Sequence, residues 1–141
     1  MFNRILVAID GSKNSYDALE AAMDLTKKFN SELYLVSVVN TANLPVSVGV
    51  SYVPGLTDEL ETGAKVDLQK AEEMVKGAGL ACHVELLNGE PRSELANFPK
   101  DKEIDLIIMG KTGLNALERA FVGSVTRYVS EHSKTNVLIV N

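Results

Sequence analysis

The sequence is poor in the residues that carry the most recognisable chemistry. Cys82 is the single cysteine among 141 residues, which excludes an internal disulfide and a four-cysteine zinc site. We read Cys82 as a small buried apolar residue. There are two histidines, His83 and His132, and neither has a second ligand at metal spacing, so no metal site built from side chains is expected. Tryptophan is absent, which removes the usual stacking partner of a flavin. No apolar run approaches the ~20 residues of a membrane span. The opening run Ile5–Ile9 is stopped by Asp10-Gly11 and is too short for the core of a signal peptide. A basic excess is missing too. Acidic residues outnumber basic ones by 19 to 14, a formal charge of −5, which argues against nucleic acid and anionic membrane as partners. The expectation is a cytoplasmic protein whose residues 1–141 form one domain.

What is present is a regular alternation. Five short apolar runs recur: Ile5–Ile9, Leu33–Val39, Cys82–Leu87, Ile104–Met109 and Val137–Val140. Four are nearly continuous in Val, Ile and Leu, as strands buried on both faces must be. The Cys82–Leu87 run alternates, which suits an edge strand with one wetter face. Between the runs the period becomes helical. Leu19, Ala22, Met23 and Thr26 make one stripe after a Ser12/Asn14 start signal. Leu60, Ala64, Leu68, Ala71 and Val75 make a second, with Thr57 as cap, Asp58 and Glu59 in the first turn, and Gly77 and Gly79 as terminators. A short third helix is expected over residues 92–97, with Pro91 at its first turn and Pro99 limiting it. Val125, Tyr128, Val129 and His132 make the last stripe. Strands alternating with helices predict an α/β fold with a parallel sheet covered on both faces. Asn40–Leu56, with Pro45, Gly49, Pro54 and Gly55, reads as a long loop. The closing run Val137-Leu138-Ile139-Val140 predicts an apolar edge that a second copy of the chain would cover.

Ligands of open parallel sheets bind at the carboxyl ends of the strands, where strand order reverses. Two candidate loops stand there, Asp10-Gly11-Ser12 and Met109-Gly110-Lys111-Thr112-Gly113. The second opens the pattern Gly110-x2-Gly113-x9-Gly123-Ser124. Glycines allow positive φ and close approach of backbone N–H groups to a phosphate. Gly123-Ser124 at a helix start adds unpaired donors and the positive end of the helix dipole. Together these describe a polyphosphate cradle. Gly110-Lys111-Thr112 is not a P-loop, because Asp105 stands where that motif needs a glycine. Gly77-Ala78-Gly79 precedes a strand and is not a dinucleotide fingerprint.

With Ile5-Leu6-Val7-Ala8-Ile9-Asp10-Gly11-Ser12, Ile107-Ile108-Met109-Gly110, the glycine pattern and Val137–Val140 in place, the chain resembles the universal stress protein family over essentially its whole length. The glycine spacing resembles the ATP-binding subgroup. The resemblance implies a Rossmann-like three-layer domain with sheet order 3-2-1-4-5 and a homodimer formed through Val137, Leu138, Ile139 and Val140. It implies that Asp10 meets the ribose, with Ala8 and Ile9 beside the adenine, Val38 closing over the base, and Met109 and Gly110 lining base and ribose. Thr112, Gly113, Gly123, Ser124 and Val125 would hold the phosphates, with Lys111 a further phosphate contact. The cofactor implied is ATP with a divalent cation, Mg or Mn, held mainly by the phosphates. The function implied is that of a dimeric stress-response module regulated by adenine nucleotide. A slow ATPase using Glu118 or Arg119 is the alternative, and a structural dimerisation module without nucleotide is a further one. No catalytic residue is assigned.

Overall fold

The computed structural model describes residues 1–42, 54–113 and 122–141, with residues 54–56 as backbone only. Strands and helices alternate: β1 (Arg4–Ala8), α1 (Lys13–Phe29), β2 (Glu32–Asn40), α2 (Pro54–Gly77), β3 (His83–Gly89), α3 (Pro91–Asp101), β4 (Leu106–Gly110), α4 (Ser124–His132) and β5 (Asn136–Val140). The strands form one parallel sheet of order β3-β2-β1-β4-β5. The Cys82–Leu87 run is thus an edge and Val137–Val140 the opposite edge, as expected.

Side-chain alternation divides the interior in two. Ile5, Val7 and Ile9 of the first strand segment, Leu33 and Leu35 of β2 and Ile108 of β4 point to one face, where Ala18, Leu19 and Ala22 of α1 and Leu68, Ala71 and Val75 of α2 cover them. Leu6, Val36, Ile107 and Met109 point to the other face, against Leu95 of α3 and Val129 of α4. The central strands bury both faces, so their sequences are continuously apolar. The order of strands reverses between β1 and β4, which leave from the sheet centre in opposite crossover directions. Their carboxyl ends therefore diverge and open a crevice.

Helix ends show where the local reading holds and where it fails. Ser12 caps α1, its Oγ accepting the Ser15 N–H at 3.2 Å. Helix α2 starts at Pro54, so Thr57, Asp58 and Glu59 lie inside it and not at its entrance. Proline suits the first turn, where no N–H is needed, and the start signal was Pro54 itself. Pro91 opens α3 as expected, but the cap is Glu90, whose carboxylate accepts the Ser93 N–H at 2.9 Å. Pro99 does not end α3. The helix runs on to Asp101 with Pro99 buried inside it, where packing in the last turns outweighs the lost backbone bond. Of the expected Asn40–Leu56 loop, residues 43–53 lie outside the described residues, as do Glu118 and Arg119.

Candidate functional site

A cavity of about 800 Å³ opens at the carboxyl ends of β1 and β4. Eleven of the twelve residues expected at the nucleotide converge on its wall: Ala8, Ile9, Asp10, Val38, Met109, Gly110, Thr112, Gly113, Gly123, Ser124 and Val125. Lys111 is not part of that wall. Its backbone N–H donates to the Val140 carbonyl at 2.8 Å, and its carbonyl accepts the Gly123 N–H at 2.8 Å. Ile9 borders the cavity although its side chain lies in the α1/α2 core, 2% exposed.

The wall has an apolar part and a polar part. Val36, Val38 and Asn40 follow one another at the two-residue period of β2, so all face the cavity. Pro91 and Leu95, four apart on α3, stand opposite. None of Val36, Asn40, Pro91 or Leu95 was among the residues expected from sequence. Val36 and Asn40 were accessible by extending the period from Val38. Pro91 and Leu95 depend on where α3 crosses the sheet, which no local pattern encodes. Ser12, Ser15, Val122 and Thr126 complete the wall.

The polar part is built on the start of α4. Gly123 is its N-cap, at φ −60°, with no side-chain cap. The first intrahelical bond runs from Arg127 N–H to the Gly123 carbonyl at 2.9 Å, so the N–H groups of Ser124, Val125 and Thr126 precede it and have no partner within the helix. The Gly123 N–H is spent on Lys111, so the donor set lies one residue further along than the sequence suggested. The Thr126 hydroxyl donates to the Gly110 carbonyl at 2.9 Å and ties this helix start to the end of β4.

Two of the motif glycines, Gly110 and Gly113, serve close packing. The glycines with positive φ among the described residues are Gly11, Gly79 and Gly89, and Gly110, Gly113 and Gly123 are not among them. At Gly110 an added Cβ would lie 2.7–2.8 Å from the backbone C, O and the Cβ of Asn14. At Gly113 it would lie 2.6 Å from Oδ2 of Asp10. The glycines thus let the start of α1 and the Asp10 carboxylate close on the β4 loop. Asp10 Oδ1 accepts the Ser12 N–H at 2.9 Å, a local turn, which leaves Oδ2 on the Gly113 side.

Asp67 of α2 seats its carboxylate against Gly11. Its pKa is raised, first by burial and then by the nearby Asp10 charge, with Lys70 opposing. Among the described residues no cluster of three or more His, Cys, Asp or Glu side chains could hold a metal ion. Among them, too, no helix is long and apolar enough to cross a membrane.

Comparison with known proteins agrees with this architecture. The chain is 38% identical to the universal stress protein YxiE of Bacillus subtilis, over 99% of each chain. It is 33% identical to the universal stress protein MJ0531 of Methanocaldococcus jannaschii, over 99% of this chain and 82% of that one. The crystal structure of a universal stress protein in complex with cAMP superposes with a TM-score of 0.76 at 27% identity, covering 99% of this chain and 97% of the other. The model of the universal stress protein family matches residues 1–141, and the chain belongs to that family.

Proposed function

We propose that the cavity binds an adenine nucleotide, ATP with a divalent cation in the first instance, and that the protein is a homodimeric stress-response module regulated by that occupancy. The observation that carries the reading is the pairing within one cavity of an apolar slot, Val36, Val38, Leu95 and Met109, with the N–H groups at the start of α4 that have no partner within the helix. A flat apolar base fits the first and an anion the second. Asp10, on the same wall, would offer its carboxylate as an acceptor for ribose hydroxyls. Adenine nucleotide chemistry in a relative, the one in complex with cAMP, supports the choice of base. The net charge of −5 is no obstacle, because backbone amides supply a local positive field that charge counts omit. The cation would be held by the phosphates.

A thermal-shift titration with ATP and Mg tests this. ATP at ~100 times its dissociation constant stabilises the folded chain by about 2.7 kcal/mol, a readily measured rise in Tm. No rise at millimolar ATP overturns the reading.

A further inference from the structure

Asn14, in the first turn of α1, faces the β4 loop across 98 residues of sequence. Its side-chain Nδ2 lies 3.3 Å from the Thr112 carbonyl and 2.5 Å from the Thr112 hydroxyl oxygen. A carbonyl oxygen only accepts, so the Asn14 atom facing it must be the amide nitrogen. That fixes the amide's orientation, and the same nitrogen then donates to Thr112 Oγ1 as well. A hydroxyl whose oxygen accepts there must send its own proton elsewhere. Thr112 lines the cavity, on the side of the α4 helix start.

We infer that Asn14 is a positioning residue that makes Thr112 an obligate hydrogen-bond donor to an anionic group of the ligand, the phosphates on the reading proposed above, on which this inference rests. Without Asn14 the Thr112 hydroxyl is free to turn and donate to a backbone acceptor. Gly110 is part of the same device. Only a residue without Cβ lets the Asn14 backbone sit on the end of β4, and that contact sets the reach of the Asn14 amide. A donor aimed in advance at a charged oxygen gains more than one that must reorient.

The test is calorimetric titration of ATP and of adenosine into the unsubstituted protein, Asn14→Ala, Thr112→Val and the double variant. Asn14→Ser, too short to reach Thr112 but compatible with a helix start, stands in should Asn14→Ala fail to fold. Expected is an ATP affinity about tenfold weaker for Asn14→Ala and for Thr112→Val, the loss of one charge-assisted hydrogen bond, with adenosine affinity changed less than about twofold. The double variant should be no weaker than Thr112→Val, because Asn14 acts through Thr112. Equal weakening of ATP and adenosine, or additive losses in the double variant, overturns the inference. Failure of the unsubstituted protein to bind either ligand instead overturns the nucleotide reading, and this inference with it.

Discussion

Within the site, Gly110 lies against the Asn14 backbone with no room for a Cβ. Gly110→Ala would press a methyl group into the Asn14 backbone, which cannot rotate away as a side-chain tip can. The expected loss is about 1–3 kcal/mol, read as a lower urea midpoint with unchanged m. Asp67 behaves differently. Burial and the Asp10 charge raise its pKa in the folded chain above its ordinary value, so the folded state holds that proton more tightly than the unfolded one. Stability from this group is complete below about pH 4, the unfolded value. It is lost as pH rises through the raised folded value. Asp67→Asn keeps the shape and removes the titration. Its urea midpoint should exceed that of the unsubstituted protein at pH 7, and the gain should vanish near pH 3.5. A gain that persists in acid would show that some property of the amide other than its lack of charge is responsible.

Among the elements, α3 starts at Pro91 as expected but carries a cap that the sequence concealed. Glutamate is an uncommon cap, yet Glu90 accepts the Ser93 N–H and an Arg92 side-chain hydrogen bond at 2.9 Å. The Arg92 bond, with help from the backbone N–H groups, lowers its pKa. Glu90→Ala should cost about 1 kcal/mol at neutral pH. A lowered pKa contributes stability above the ordinary carboxylate range and loses it as pH falls through the folded value. The difference between Glu90→Ala and its parent should therefore shrink in acid, in paired urea titrations at pH 7 and pH 3. All five strands, by contrast, were legible: burial on two faces marks the middle of β1, β2 and β4, half-burial marks β3, and β5 keeps its apolar run although it is only partly buried and not covered on both faces as expected. The cavity residues at the strand ends were expected from the resemblance to the universal stress protein family and from the rule that ligands sit at the carboxyl ends of the strands. What could not be read are contacts made across the fold: Asn14 on Thr112, Thr126 on Gly110, Asp67 on Gly11, Pro91 and Leu95 on the cavity. The residue types there are ordinary for a helix, and only the crossovers bring them to the site. The glycines of the motif were read partly as positions of positive φ, which none of them has; at 110 the backbone of α1 requires glycine, while at 113 the near atom is only the tip of Asp10.

For the whole molecule, the question is what covers β5. Among the described residues its outer row pairs with no other strand of this chain, and Leu138 is 39% exposed. If a second copy covers this edge, Leu138→Glu puts a charge into the contact. Sedimentation velocity should then show a monomer where the parent sediments as a dimer, with thermal unfolding of the monomer still cooperative. A parent that sediments as a monomer removes the dimer from the proposed function and leaves the cavity untouched.

The peptide groups on either side of Lys111 give that edge a longer reach. The N–H of residue 111 holds the last carbonyl of β5, and its C=O holds the N–H of the α4 cap, both at 2.8 Å. This single residue joins the rim of the sheet to the mouth of the cavity. If a second copy covers β5 and a ligand takes the donors at the start of α4, both act on the two ends of this one connection. Whatever factor that connection carries, linkage makes it equal in the two directions, and dimer dissociation constants measured with and without ATP read it.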